Sequence, residues 1–163
     1  MSIGGDTGGS IRTPASWCGI VGLKPTFGLV PYKGSAAMEP SLDHLGPMGA
    51  RTEDVARLLS VIAGPDSSDF REQSKARAQA YLNALNRDTK SLRIGVLKQG
   101  FQRPESSSGT DQVVLQALTE LERAGATIED VSIPWHRDAS DISVALTWEG
   151  AASFIFDGDA IGH

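Results

Sequence analysis

The segment GGDTGGS at residues 4–10 constrains this chain most, because it places two Gly-Gly pairs around one acid and one hydroxyl residue and ends on a serine. The chain has 18 glycines among 163 residues, above the roughly 7% that is usual in proteins. Glycine permits positive φ angles and close backbone approach. We therefore predict a tight turn whose backbone N–H groups converge on an anion or a developing oxyanion.

A helix is expected directly after this turn. Apolar side chains recur there at the i, i+3, i+4 and i+7 period of an amphipathic helix, at Ile11, Pro14, Ala15 and Cys18. Ser10 then lies where the turn meets the helix N-terminus, and the helix dipole favours negative charge there by up to about 2 kcal/mol. We predict Ser10 as a candidate nucleophile and Cys18 as a small core residue.

Other glycine-rich motifs do not fit these letters. A phosphate-binding P-loop requires Lys and then Ser or Thr after its last glycine, whereas Ser10 and Ile11 follow Gly9. The dinucleotide fingerprint requires glycines at positions one, three and six, which residues 4–9 do not provide. The α/β-hydrolase elbow requires glycine two residues after the serine, where this chain has Arg12. From these residues alone, a structural turn and a catalytic turn both stay open.

Composition narrows the classes of function. With 15 Lys+Arg against 20 Asp+Glu and no basic stripe, a nucleic-acid partner is not expected. No segment reaches the roughly 20 apolar residues of a membrane span, so membrane insertion is not expected. The single Cys18 forms no internal disulfide and the first residues lack the pattern of a signal peptide, which favours a cytoplasmic location. His136 and His163 stand alone, so we expect no metal and no cofactor.

Two long blocks of the sequence resemble one known family. They are GGDTGGSIRTPASWCGIVGLKPTFGLVP at residues 4–31 and SLDHLGPMGARTEDVARLLSVIAG at residues 41–64. In this order they are similar to the amidase signature family, and a looser similarity continues to residue 158. The resemblance implies an α/β fold with helices around a mixed sheet, incomplete at both ends here. It also implies that residues 1–163 form one partial amidase domain with no separate second domain.

The resemblance implies a site and a reaction. The family hydrolyses amides with a nucleophilic serine, a bridging serine and a lysine that acts as base in its neutral form. Ser10 matches the nucleophile, and Asp6 and Arg12 match positions that support the loop. The oxyanion hole is assigned to the backbone N–H groups of Thr7, Gly8, Gly9 and Ser10. The implied reaction converts a small-molecule carboxamide to a carboxylate and ammonia or an amine, through an acyl-enzyme on Ser10.

The sequence departs from the family before Ser10. The bridging serine and the lysine precede the nucleophile in the family, but neither Ser2 nor Lys24 matches those positions. A serine hydroxyl is a weak nucleophile without an adjacent base. We therefore expect a fragment that is inactive alone and that associates with a second copy or a complementing fragment. Asp43 and His44 are not expected to complete a triad, because neighbours in sequence seldom orient one another in that way.

Two other functions stay open. The glutaminase subunit of an aminoacyl-tRNA amidotransferase belongs to the same superfamily and shares the letters DTGGSIR of residues 6–12. Such a protein would release ammonia from glutamine and would require partner subunits. The other alternative is a truncated product without catalytic activity. The letters TFGLVPYKG and SLDHLGP resemble stand-alone amidases of small aliphatic or aromatic amides more closely, which favours the amidase interpretation.

The remaining sequence alternates between helix and strand patterns. We expect one helix that begins at Thr52 with a capping residue and a second helix that contains Ala78 and ends near Asn86. Two further helices are expected at residues 110–125 and 138–156. Strands are expected at residues 92–97 and 128–133, and loops at residues 66–69 and 99–109. The predicted core includes Val55, Leu58, Leu59, Ile62, Val114, Leu118 and Leu121. For the three tryptophans Trp17, Trp135 and Trp148, burial in the core is favoured over the lining of a substrate pocket.

Overall fold

The structure, a computed structural model, describes residues 1–69, 71, 80–86 and 88–156. The chain divides into two compact units: residues 1–86 with 143–163 form unit 1, and residues 87–142 form unit 2. Both units combine helices with strands, so the predicted α/β class is confirmed. The described strands form two sheets, one antiparallel and one parallel.

Unit 1 is built on a three-stranded antiparallel sheet. Its elements in chain order are β1 (Ser2–Asp6), α1 (Arg12–Cys18), β2 (Val21–Gly22), β3 (His44–Gly49), α2 (Thr52–Ile62) and a 3-10 helix (Tyr81–Asn86). The strand order is β1-β3-β2. The pairing of β1 with β3 runs from Ser2 opposite Met48 to Asp6 opposite His44. This antiparallel register brings the residue after Asp6 next to the residue before His44.

The end of α1 is less buried than its sequence predicts. Ile11 and Ala15 are buried, but Cys18 is exposed, so its assignment to the core was wrong. The helix ends at this point, because Gly19 adopts the left-handed conformation with φ of 63°. Helical spacing places residues on one face, but it does not ensure that a neighbour covers that face as far as the last turn.

Helix α2 supplies much of the apolar core of unit 1. It begins at Thr52 as predicted, but the residue before it, Arg51, occupies the N-cap position without a side-chain bond. The predicted cap by Thr52 was wrong because this residue is already the first of the helix. The predicted stripe is confirmed, with Val55 and Leu59 buried and Leu58 and Ile62 partly buried. The core cluster contains Val30, Leu59 and Ala63, packed against Leu29, Leu45, Ile62 and Tyr81.

The helix expected to end near Asn86 is a 3-10 helix over its described residues, Tyr81–Asn86. The prediction of an α-helix was therefore wrong for this stretch. Its predicted apolar residue Ala78 lies outside the described residues. None of the residues of this 3-10 helix is fully buried. The apolar spacing in the sequence predicted a helix here but did not distinguish an α-helix from a 3-10 helix.

Unit 2 has a β-α-β arrangement. Its elements are β4 (Arg93–Leu97), a 3-10 helix (Lys98–Gly100), α3 (Ser108–Arg123), β5 (Thr127–Val131), a 3-10 helix (Pro134–Asp138) and the start of α4 (Ala139–Phe156), which continues in unit 1. Strands β4 and β5 are parallel, with Arg93 opposite Thr127 and Leu97 opposite Val131. The predicted strands at 92–97 and 128–133 and the helices at 110–125 and 138–156 are confirmed within a few residues.

Several large apolar side chains are more exposed than predicted. Leu118 and Leu121 are partly buried on α3, but Val114 is 44% exposed, so its assignment to the core was wrong. The predicted burial of all three tryptophans was also wrong, with exposures of 83% at Trp17, 72% at Trp135 and 71% at Trp148. Side-chain size and helical spacing predict a tendency to be buried, and no described neighbour in the same unit covers these residues. In the described ranges, no helix combines the length and apolarity required to cross a membrane.

At Gly46 in β3, the backbone lies very close to the segment that contains Leu23 and Pro25. A Cβ atom at Gly46 would lie 2.1 Å from Leu23 O and 2.8 Å from Pro25 Cδ. We expect Gly46→Ala to lower the free energy of unfolding by about 3 kcal/mol or to prevent folding, because overpacking against backbone costs about 1–3 kcal/mol or more. Urea unfolding followed by circular dichroism measures this change.

Gly5→Ala is the matched control in the same sheet, because its Cβ would meet only His44 O at 3.9 Å. Equal effects of the two substitutions would contradict the close approach at Gly46.

Candidate active site

The glycine-rich turn lies between β1 and α1 and delivers Ser10 to the start of the helix. Gly9 has a φ of 130°, a conformation that favours glycine over every other residue. Its carbonyl oxygen accepts a hydrogen bond from Thr13 N–H at 2.7 Å, which starts the helical pattern. A Cβ atom on Gly8, by contrast, would meet no described atom within 4 Å. The turn is thus tightly shaped at Gly9 and open at Gly8.

Asp6 holds this turn from within the protein. Its side chain is buried and accepts hydrogen bonds from Gly9 N–H at 2.8 Å and Ile11 N–H at 3.3 Å. Arg12 adds two more, from Nε at 3.0 Å and from Nη2 at 2.9 Å. The sequence predicts Asp6 and Arg12 as supports of the loop, and the structure brings them together in a two-bond ion pair.

These contacts set the charge state of Asp6. Burial raises the pKa of its carboxyl group, but the bonds from Arg12, Ile11 and Gly9 outweigh this effect and lower the pKa to about 2. The bond to Asp6 also raises the pKa of the Arg12 guanidinium. Asp6 is therefore an anion at neutral pH, which suits it to hold the turn and not to donate a proton.

The four backbone amides predicted for the oxyanion hole differ in their partners. Gly9 N–H is engaged by the buried carboxylate of Asp6. Among the described residues, no group accepts a hydrogen bond from the N–H of Thr7, Gly8 or Ser10. Ser10 is exposed, and its hydroxyl forms no hydrogen bond with any described residue. Three amides and the candidate nucleophile are thus available on one short turn.

Lys24 lies within electrostatic reach of the Asp6–Arg12 pair. Burial and then the positive charge of Arg12 lower the pKa of Lys24, while Asp6 acts in the opposite direction. Its ammonium group donates to Pro25 O at 2.9 Å. The hydrogen bond of Lys24 thus goes to the main chain and not to Ser10.

The structure does not join Asp43 and His44 into an acid–imidazole pair. His44 Nδ1 donates to Leu42 O at 2.6 Å, and its ring packs edge-on against Phe27 with centroids 5.4 Å apart. Burial lowers the pKa of His44. Within the described ranges, no group of three His, Cys, Asp or Glu side chains is arranged to hold a metal. His163 lies outside the described residues.

Asp43 is a buried acid to which sequence reasoning gave no role beyond the rejected triad. Its carboxylate accepts hydrogen bonds from the Thr7 hydroxyl and from the backbone amides of Met38 at 2.7 Å and Glu39 at 3.0 Å. The Tyr32 hydroxyl lies 3.0 Å from the same carboxylate. No local signal in the sequence marks this role, because the contact of Asp43 with Thr7 joins residues 36 positions apart.

A buried ion pair lies behind Tyr32. Arg71 Nη2 is 2.9 Å from Asp69 Oδ2, and both side chains are almost fully buried. Asp69 also accepts a bond from Tyr32 N–H at 2.6 Å, and the Arg71 guanidinium stacks 4.1 Å from the centre of the Tyr32 ring. The hydrogen bond from Arg71 holds the pKa of Asp69 well below its usual range. The predicted loop at residues 66–69 is present, but its role in burying a charge was missed.

Comparison with known proteins agrees with the motif. A family model described as Amidase matches residues 1–161. The chain belongs to the amidase family. This amidase chain is 40% identical over 164 residues to a glutamyl-tRNA(Gln) amidotransferase subunit of Sulfurihydrogenibium sp. (strain YO3AOP1), with 99% of the chain and 33% of that protein covered. It is 41% identical over 162 residues to an enantioselective amidase of Rhodococcus rhodochrous, with 99% and 31% covered.

A solved structure extends this likeness to the fold. The amidase chain superimposes on the corresponding glutamyl-tRNA(Gln) amidotransferase subunit from Thermotoga maritima with a TM-score of 0.84 and 33% identity. The match covers 93% of this chain and 33% of that one. The amidase chain therefore spans about a third of the length of the relatives it matches.

The ion pair at Asp6 predicts a pH dependence of stability. The pKa of Asp6 is about 2 in the folded chain against an ordinary value of 3.8, so folding favours its ionised form. This contribution, about 2 kcal/mol, is complete well above pH 3.8 and is lost as the pH falls through about 2. We expect the difference in unfolding free energy between the parent and Asp6→Asn to shrink between pH 6 and pH 2.

Urea unfolding at several pH values measures that difference. Ser10→Ala, which alters no carboxylate, serves as the control and should show a constant difference from the parent. A constant difference for Asp6→Asn as well would show that the Asp6 pKa is not lowered by folding.

Proposed function

We propose that this chain supplies the nucleophile and the oxyanion turn for hydrolysis of small-molecule carboxamides to a carboxylate and ammonia or an amine. The observation that carries the proposal is the exposed Ser10 beside three amides that no described residue uses. Ser10 Oγ attacks the carboxamide carbon and forms a tetrahedral intermediate. The carbon–nitrogen bond then breaks as the proton taken from Ser10 passes through the base to the departing nitrogen, and water hydrolyses the resulting ester on Ser10 to a carboxylate.

The amides divide into donors and supports in this proposal. The N–H groups of Thr7, Gly8 and Ser10 donate to the developing oxyanion, where one well-placed donor is worth about 3 kcal/mol. Gly9 contributes to the oxyanion hole through its positive φ, which shapes the turn. Its own N–H is not a donor to the oxyanion, because it already donates to Asp6. Asp6 and Arg12 keep the three donors aligned without contacting the reacting atoms.

The proton of Ser10 requires a base that the described neighbours of Ser10 do not supply. The family resemblance assigns this step to a lysine acting through a bridging serine, and this chain matches neither position. We therefore propose that residues 1–163 form one partial amidase domain, inactive alone, that associates with a second copy or with a complementing segment, of which only the complementing segment could supply the base. The proposal places it in the cytoplasm, with no nucleic-acid or membrane partner, in keeping with its net charge of −5 and single cysteine.

A second candidate is the release of ammonia from glutamine within an aminoacyl-tRNA amidotransferase. Two of the relatives above are named as subunits of glutamyl-tRNA(Gln) amidotransferases, and identity does not separate the first of them from the Rhodococcus rhodochrous amidase, at 40% against 41%. The chemistry at Ser10 would be the same in both cases. The two candidates differ in the acyl group, since the acyl group of glutamine carries an α-ammonium and an α-carboxylate group. They also differ in the need for partner subunits.

Transplantation tests both candidates. Residues 1–163 replace the matched stretch of the Rhodococcus rhodochrous amidase, and hydrolysis of small aliphatic and aromatic amides is compared with that of glutamine. We expect activity on the small amides, and Ser10→Ala should lower kcat at least ~10³-fold, because loss of a serine nucleophile costs up to about 10⁶-fold. A preference for glutamine would favour the second candidate.

Ser16→Ala is the matched control, since this serine is exposed on α1, the helix that follows the turn. Full activity of the Ser10→Ala chimera would refute the proposal. In the 163-residue chain by itself, a fluorophosphonate should leave Ser10 unlabelled, and strong labelling would contradict the proposed inactivity.

A further inference from the structure

The register of the sheet brings a second carboxylate to the turn. Asp6 of β1 is paired with His44 of β3, so the next residues outward, Thr7 and Asp43, also face one another. The Thr7 hydroxyl donates to Asp43 Oδ1 across this gap. The contact joins the first residue of the turn to a residue 36 positions away in the chain.

The other oxygen of Asp43 is held by a loop. Asp43 Oδ2 accepts from the amides of Met38 and Glu39, and it lies 3.0 Å from the Tyr32 hydroxyl. The Tyr32 hydroxyl also lies 2.8 Å from Ala36 O. Backbone N–H groups can only donate, so Oδ2 acts as an acceptor there. The carboxylate is thereby fixed on one side by the loop, and its remaining oxygen meets Thr7.

A buried ion pair lies next to the main chain of Asp43. Arg71 stacks on the ring of Tyr32, pairs with Asp69 and approaches Asp43 O with Nη1 at 3.4 Å. The side chains of this ion pair are almost fully buried, where hydrogen bonds are strengthened by the low dielectric. Movement of Asp43 would disturb several of these contacts at once.

We propose that Asp43 is a positioning residue that fixes Thr7 and thereby aims the amides of Thr7 and Gly8 at the oxyanion. The inference rests on the proposed function, in which those amides bind the oxyanion. Asp6 fastens the turn at Gly9 and Ile11, and Asp43 fastens it at Thr7. In this proposal the two anchors also hold the orientation of the Gly8 and Ser10 N–H groups, which donate no hydrogen bond to a described residue.

The first test uses the 163-residue chain and no activity. Thr7→Val removes the hydroxyl and keeps the side-chain shape, Thr7→Ser keeps the hydroxyl, and Asp43→Ala removes the carboxylate. We expect Thr7→Val and Asp43→Ala to shift the same amide resonances of residues 7–10 in ¹H–¹⁵N spectra, and Thr7→Ser to restore them. Thr52→Val and Asp66→Ala are matched controls at exposed or loop positions and should leave these resonances in place. Unchanged turn resonances in Thr7→Val would overturn the proposal even if Asp43→Ala fails to fold.

The second test measures catalysis in the chimera described above, per titrated active site. Misorientation of the Thr7 and Gly8 N–H groups would weaken their bonds to the oxyanion in the transition state and would not affect substrate binding. Thr7→Val should therefore lower kcat about tenfold or more with KM unchanged. A double variant Thr7→Val/Asp43→Ala should be no worse than the poorer single variant, because each single variant already breaks the bond between Thr7 and Asp43. If Ser10→Ala abolishes activity but Thr7→Val keeps kcat within twofold of the parent, the role of Asp43 is refuted and the proposed function stands. If Ser10→Ala is active, the proposed function itself fails.

Discussion

The buried carboxylate of Asp6 is the contact on which the site depends. It lies at the last position of β1 and accepts bonds from Gly9 in the turn, from Ile11 just before the helix and from Arg12. Two of its donors are backbone amides that would otherwise lie unpaired near the start of α1, at a cost of about 1–3 kcal/mol each. One of these donors, Ile11, is fully buried in the core. A single side chain therefore connects the sheet, the turn and the helix.

The support of the turn follows from the geometry of two paired strands. Because β1 and β3 are antiparallel, the acid that ends one strand and the acid that precedes the other lie at the same end of this strand pair. The turn is held at both ends, and its middle stays available to an incoming group. Preorganised donors of this kind need no rearrangement when charge develops, which is how an oxyanion site gains its effect.

Local patterns in the sequence predicted the parts of the fold that depend on local interactions. The turn before α1, the stripe of α2 and the β-α-β arrangement of unit 2 all follow from helical period, apolar runs and glycine punctuation. Strands β1 and β3 were missed, because glycine and proline are poor strand formers and their pairing joins segments about 40 residues apart. Pairing partners at that distance leave no periodic signal.

The same limit applies to the site. Ser10, Asp6 and Arg12 lie within seven residues of sequence, so one short motif makes all three candidates together. The contacts of Asp43 with Thr7 and of Asp69 with Tyr32 join residues 36 and 37 positions apart, which no local pattern contains. The burial of the tryptophans was mispredicted for a related reason, because exposure depends on neighbours and not on the side chain itself.

Gly8 differs from the other glycines of the turn in what it requires of the protein. Gly9 is glycine because its φ of 130° excludes most side chains, whereas the protein itself leaves room for a Cβ atom at Gly8. The fold of the described residues therefore does not explain a glycine at position 8. In the proposed function, the absence of a side chain at Gly8 leaves the outer side of the turn open, so that a planar amide group could come within hydrogen-bond distance of the backbone. Glycine at this position would then serve access to the turn and not the packing of the described residues.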